Sequence, residues 1–137
     1  MDYPPGFPDD LKPPVESALA SEEIAFTQAR KEARTWHPDV VETLIKRYIR
    51  RVMLVFADSA CRAVEKGRWN GDDFRKAFDK YLRSLTQYVW TRKHPRPWDQ
   101  AAMIDLSRGA LTGIEESEEW LAIQDRLRTA ARGVNAS

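Results

Sequence analysis

The longest regular pattern of apolar residues runs from Asp39 to Lys66, a stretch that contains no Gly or Pro. In its first half, apolar side chains recur every three or four residues, as they do on one face of an α-helix. These positions are Val41, Leu44, Ile45, Tyr48, Ile49 and Val52. At 1.5 Å per residue such a helix is about 40 Å long, enough to cross a small domain. We therefore predict a central helix at residues 39–66.

The second half of this helix carries a further apolar stripe on the opposite side, made of Leu54, Ala57, Cys61 and Val64. A helix that is apolar on nearly every side requires neighbours on nearly every side. Two interpretations are open. The stripe is either core, covered by the rest of the chain, or a symmetric interface between two copies of the protein in a homo-oligomer.

A second long helix is predicted at residues 71–91. Gly67 is suited to end the central helix, because glycine readily adopts the left-handed conformation of a C-terminal cap. Asn70 is a favourable N-cap for the next helix, and an apolar stripe with helical spacing follows it. The stripe consists of Phe74, Ala77, Phe78, Tyr81, Leu82, Leu85, Tyr88 and Val89. Because the link is short, we expect the two helices to pack antiparallel.

Three further segments have helical patterns. Residues 15–34 predict either one broken helix or a short helix followed by a longer one that starts at Ser21. A helix capped by Asp99 is expected to end by Gly113, and the last helix starts at Ser117 and is stopped by Gly133. No strand or internal repeat is indicated. The pattern predicts an all-α protein, a compact bundle of five to six helices around the central one.

The first fourteen residues differ in composition from the rest. They hold five of the eight prolines, so that this segment favours extended conformations over a helix. Tyr3 and Phe7 are its aromatic residues. We interpret residues 1–14 as an arm, residues 15–133 as one helical domain and residues 134–137 as a frayed tail. The arm is either disordered, packed on its own domain, or a docking peptide that uses Tyr3 and Phe7 as an interface.

Composition narrows the class of protein. A chain of 137 residues has the size of one domain with a real core. Its longest apolar run, from Val52 to Ala57, is too short to span a bilayer, and its acidic, proline-rich start is unlike a secretory signal. The single cysteine excludes an internal disulfide and fits a reducing compartment. We expect a cytoplasmic protein that does not insert into membranes.

Signatures of catalysis are weak. The sequence contains no glycine-rich phosphate loop, no CxxC, no HExxH and no EF-hand loop, so we expect no cofactor and no metal. His37 and His94 each precede a proline and suit turns, and Cys61 suits a small buried residue. An acidic cluster resembles a metal site but is also favoured by a helix N-terminus. Its members are Glu115, Glu116, Glu118 and Glu119.

Positive charge is the more informative signal. Residues 30–108 carry eighteen Lys and Arg against ten Asp and Glu, whereas residues 1–29 carry one Lys against six acids. Four cations lie within two turns of the central helix: Lys46, Arg47, Arg50 and Arg51. The mutual repulsion of these cations must be offset by nearby negative charge. A phosphate backbone, an acidic protein or the acidic N-terminal region of the same chain could provide it.

A second basic segment follows the 71–91 helix. It combines Arg92, Lys93 and Arg96 with two tryptophans, Trp90 and Trp98. Cations interleaved with aromatic rings are typical of proteins that hold single-stranded nucleic acid. Trp90 lies about 160° from the apolar stripe of its own helix, so we expect an exposed ring.

These patterns favour a non-catalytic helical binding module, a subunit or adaptor of a larger assembly. Its basic face would contact a polyanionic partner, either a nucleic acid backbone or an acidic protein. The alternative is a homo-oligomeric structural or regulatory protein that uses the second stripe of the central helix as its interface. An enzyme whose acidic and basic groups converge from distant helices is the third possibility.

Overall fold

The computed structural model describes residues 1–136, with side chains placed for residues 1–133. A single 3₁₀ turn at Asp9–Leu11 precedes five helices, and the described residues include no strand. The helices are α1 (Lys12–Glu32), α2 (Pro38–Glu65), α3 (Gly71–Lys93), α4 (Gln100–Glu115) and α5 (Glu118–Ala136). The predicted all-α class and the compact bundle are confirmed.

α2 is the central helix, within one residue of the predicted bounds at each end. It begins with Pro38 at its first position, where the missing N–H of proline costs nothing. It ends at Glu65, and Gly67 beyond its C-cap has a left-handed φ of 75°. The N–H of Gly67 donates to the carbonyl of Val64, and that of Arg68 donates to the carbonyl of Ala63, which is the pattern of a Schellman motif.

All the other helices pack against α2. α3 returns antiparallel to it through a short link, and the Asn70 side chain and the Asp73 side chain cap the start of α3 reciprocally. The rings of Phe56 and Tyr81 stack with centroids 4.1 Å apart at the middle of this pair. The predicted hairpin is therefore present, and its aromatic stacking forms the centre of the core.

α4 and α5 together run parallel to α2, α4 along its first half and α5 along its second half. Gly109 of α4 lies beside Lys46, while Cys61 lies beneath Ile123 of α5. α5 covers the second stripe of α2, so Ala57 and Cys61 are fully buried. Leu54 and Val64 of the same stripe are half-buried against the core. The single chain thus supplies the neighbours that the second stripe requires.

The expected bounds of α1 and α5 differ from the structure. α1 is one continuous helix that passes through Ser21, because Val15 and Phe26 on either side pack on the same core. α5 continues past Gly133 to Ala136, so Gly133 does not stop it. Glycine lowers helix stability by about 1 kcal/mol but does not by itself end a helix. Of the predicted frayed tail, residues 134–137, the side chains and Ser137 lie outside the described residues.

The N-terminal arm is packed on its own domain. Phe7 is only 6% exposed, and its ring stacks on Phe56 at 5.1 Å and meets the edge of Trp69 at 5.7 Å. Tyr3 extends the stack onto Phe7 and Tyr81. Its phenol pKa is raised to about 12, chiefly by burial. These rings complete the aromatic core rather than project from it as a docking peptide.

Replacing Phe7 tests this role of the arm. We expect Phe7→Ala to lower the free energy of unfolding by about 3 kcal/mol, because it leaves a cavity against Phe56 and Trp69. Urea denaturation followed by circular dichroism measures the change. The control is Ile24→Ala on the surface of α1, where the side chain is 72% exposed and an effect within about 0.5 kcal/mol is expected. Equal stabilities of the two variants would contradict a structural role for the arm.

Candidate polyanion-binding surface

The four basic residues of the central helix form one exposed surface, which we call the α2 strip: Lys46, Arg47, Arg50 and Arg51. It lies between α1 and α4, on the side of α2 that faces away from the α3 hairpin. Arg51 reaches Glu22 of α1, and Lys46 lies on Gly109 of α4, so the two flanking helices border the strip without covering it.

Two glycines of α4 make room for the strip. A Cβ atom at Gly109 would lie 2.9 Å from Cε of Lys46, and one at Gly113 would lie 3.4 Å from Cδ of Arg50. The missing side chains let the aliphatic stems of both cations lie along α4 while their charged ends reach water. Gly113 was expected to end its helix, but the helix continues to Glu115. The sequence pattern did not reveal that these glycines face the basic residues.

Carboxylates of α1 occupy the other border of the strip. The buried Glu22 accepts from Nη1 of Arg51 at 3.5 Å, and Arg51 itself is about half exposed. Glu23 accepts from the Tyr48 hydroxyl at 3.1 Å and from Nζ of Lys93 at 2.7 Å. The acidic N-terminal region therefore pairs with part of the basic middle, and Lys93 is removed from the set of free cations.

The acidic N-terminal region also pairs with two cations just beyond the C-terminal end of α2. Asp10 lies 2.6 Å from Nη1 of Arg68 and 3.6 Å from Nζ of Lys66. The hydrogen bond from Arg68 lowers the pKa of the Asp10 carboxyl. Both Asp10 pairs lie at the surface, where solvent screens the charges and makes an ion pair weak.

Three cations of the strip have no such partner. Among the residues that the structure describes, no carboxylate oxygen lies within 4.0 Å of the charged nitrogens of Lys46, Arg47 or Arg50. Arg47 borders a small cleft that Glu22 also lines, yet the two do not pair. These three cations therefore lie outside direct ion pairs, along about one turn of an exposed helix face.

The second basic segment differs from expectation at Trp90. Its ring is 2% exposed, it stacks on His94 at 3.7 Å, and its indole N–H donates to the carbonyl of Pro97 at 3.3 Å. α4 covers this second face of α3, as the Ser107 hydroxyl bonded to Thr86 also shows. Trp90 belongs to the core and offers no ring face to a nucleobase.

The loop after α3 is held close to the strip by buried polar contacts. His94 Nε2 lies 3.2 Å from Glu42 of α2, and His94 Nδ1 accepts the backbone N–H of Arg96 at 3.0 Å. Because Nδ1 accepts, the proton of the neutral ring is on Nε2 and points to Glu42. Glu42 and Asp105 line a small cavity with Lys46, so two acidic side chains lie between the loop and the α2 strip.

The other residues of this segment are placed separately. The Arg92 guanidinium stacks over the ring of Tyr88 at 3.8 Å, a cation–π contact within α3. Arg96 is exposed, and Trp98 is exposed with its edge against Trp90. The structure thus brings the four helix cations together but does not join them to an aromatic platform.

Within residues 1–136, no three His, Cys, Asp or Glu side chains are grouped so as to hold a metal ion. None of the described helices is sufficiently long and apolar to traverse a bilayer. No protein-family model matches the chain, and no curated protein or solved structure is significantly similar to it. A function is therefore inferred from the surface geometry.

The buried position of Cys61 predicts that its thiol reacts slowly with reagents in solution. Burial raises the pKa of Cys61 to about 11, and its Sγ faces the backbone carbonyl of Ile123 beneath α5. At pH 8 about one thiol in a thousand is then ionised, and reagents reach it only when the structure opens. We expect reaction with a disulfide reagent to be orders of magnitude slower in the native protein than in urea. Rapid labelling of the native protein would show that the second stripe of α2 is accessible, as an interface there requires.

Proposed function

We propose that the protein is a non-catalytic helical binding module, a subunit or adaptor that contacts a nucleic acid backbone through the α2 strip. The observation that supports this most is the set of three neighbouring cations without a carboxylate partner, Lys46, Arg47 and Arg50. A phosphate backbone supplies direct ionic partners for these three cations.

The chemistry of the strip suits phosphate oxygens. Guanidinium groups bind phosphate in a two-pronged geometry, and the lysine adds a mobile point charge. Lys46 and Arg50 are one helical turn apart, about 6 Å along the axis, so they reach successive positions of a strand. Contacts of this kind position a partner without reading its sequence, so binding should be independent of base sequence.

The burial of Trp90 supports a preference for duplex over single-stranded nucleic acid. Without a free ring at that position, the strip lacks the stacking contribution of about 1–3 kcal/mol per base that single-strand binders obtain. A duplex presents the higher charge density. We therefore expect duplex nucleic acid to bind at least as well as a single strand of the same length.

The carboxylates of α1 adjust the affinity. Arg51 is half exposed and its distance to Glu22 is long for an ion pair, so a phosphate group competes for it readily. The number of contacted phosphates then lies between three and four. For B-form DNA, this predicts that the logarithm of the association constant falls with the logarithm of salt concentration with a slope of about −3.

Charge reversal on the strip tests the proposal. Arg47→Glu with Arg50→Glu should leave the fold intact, because both side chains are exposed, and should weaken duplex binding and flatten the salt slope by about two. Fluorescence anisotropy with labelled duplex and single-stranded oligonucleotides over a salt series measures both quantities.

A matched control distinguishes the strip from net charge. Lys76→Glu with Lys80→Glu makes the same change on the exposed face of α3 and should affect binding much less. Equal losses in both variants, or no binding by the wild-type protein at low salt, would refute the proposal. Binding to polyglutamate without binding to any nucleic acid would assign the strip to an acidic protein instead.

A further inference from the structure

The imidazole ring of His94 is enclosed between α2 and α3. Its side chain is fully buried, and the ring lies flat on the indole of Trp90, with an angle of 4° between the two planes. Nε2 lies 3.2 Å from Oε1 of Glu42, and Nδ1 accepts the backbone N–H of Arg96 at 3.0 Å. Each ring nitrogen therefore has one polar partner, the first on a helix and the second in the loop that follows α3.

The loop of residues 94–98 is stiff and is held at two points. Pro95 and Pro97 lack an N–H and have a fixed φ, so that Arg96 between them supplies the one backbone donor of these three residues. That donor is bound to the histidine ring. The second bond runs from the indole N–H of Trp90 to the carbonyl of Pro97 at 3.3 Å. The stacked histidine and tryptophan rings thus hold the loop through one acceptor and one donor.

The closed position of the loop requires a neutral ring on His94. Imidazole is the side chain that changes its charge between about pH 5 and pH 8. In the neutral ring, Nδ1 has the lone pair that the N–H of Arg96 needs. In the protonated ring, Nδ1 carries a hydrogen that points at the hydrogen of Arg96, and neither donor then has an acceptor. Protonation must therefore break this bond.

The groups around the ring determine which of its contacts survive protonation. Glu42 accepts from Nε2 in either charge state, and the face of Trp90 attracts a cation. Lys46 and Lys93 oppose an added positive charge, although Lys93 is already paired with Glu23. The charged groups on the neighbouring elements are Glu23 of α1, Glu42 and Lys46 of α2, Lys93 of α3, Arg96 of the loop and Asp105 of α4. We expect the ring to stay in place and the loop to move.

We propose that His94 is a proton-operated latch that closes this loop. At neutral pH, Nδ1 accepts from Arg96 and the loop lies against Trp90. On acidification, a proton from solvent binds to Nδ1, and the N–H of Arg96 turns away from the ring. Because the prolines make the loop stiff, the carbonyl of Pro97 leaves the indole N–H at the same time. Acidification therefore releases the exposed cation and the exposed ring of the second basic segment, Arg96 and Trp98.

Heteronuclear NMR of the full chain tests the latch in the free protein, so the result does not depend on the proposed nucleic acid contact. At about pH 7.5, a scalar coupling across the N–H···N bond should join the Arg96 amide nitrogen to Nδ1 of His94, and it should be lost at about pH 5 as Nδ1 becomes protonated. The indole N–H resonance of Trp90 should shift over the same range, because its bond to Pro97 opens. Amide resonances in the middle of α2 should stay constant, which shows that the fold is intact.

The second histidine of the chain provides a matched control. His37 also accepts a backbone N–H through Nδ1, that of Asp39 at 3.2 Å, but its ring is exposed. His94→Asn places an amide oxygen, which does not titrate, where Nδ1 accepts from Arg96. The loop should then stay closed at both pH values, and the shift of the Trp90 indole should disappear. His37→Asn should leave that shift unchanged.

Three results would overturn the proposal. The first is a coupling or an indole resonance that stays constant in the wild-type protein between the two pH values. The second is an indole shift that persists in His94→Asn, and the third is one that His37→Asn removes. Circular dichroism shows whether the variants are folded. If His94→Asn does not fold, the coupling in the wild-type protein decides the question.

Discussion

The structure depends on the burial of α2, which is enclosed by all four other helices along most of its circumference. Its first half is apolar on one side only, and its second half is apolar on two. The second half therefore requires α5 to pack against Cys61 in addition to α3, which packs against Phe56. The basic strip is a large part of the surface that the first half of α2 leaves exposed. The same residue pattern that organises the core thus decides where free positive charge is displayed.

Helix positions were predictable where local signals determine them. The bounds of α2 and α3 follow from the helical period together with Gly67 and Asn70, which cap by their own geometry. Phe7 could not be placed in this way, because a proline-rich segment has no period and its position depends on a site created by Phe56 and Trp69. Trp90 was misjudged for a related reason: α4 covers the face of α3 that the helical pattern alone assigns to solvent.

The candidate site was predictable in part. The exposure of the strip follows from its position opposite the apolar stripe of α2. The sequence pattern does not show which cations form ion pairs, because these pairs join residues far apart in the chain, Glu22 with Arg51 and Glu23 with Lys93. Likewise, the sequence indicates only that Gly109 and Gly113 lower the stability of their helix. The packing of α4 on α2 shows that they leave room for the side chains of Lys46 and Arg50.

Native-state amide hydrogen exchange tests the central position of α2 most directly. If α2 organises the core, its amides between Met53 and Ala60 should exchange only through global unfolding, with the same free energy that urea denaturation yields. The amides of α1, α4 and α5 should exchange faster, through local openings that leave α2 and α3 paired. Slower exchange in α5 or α1 than in the middle of α2 would contradict the account, because the most stable unit of the protein would then lie elsewhere.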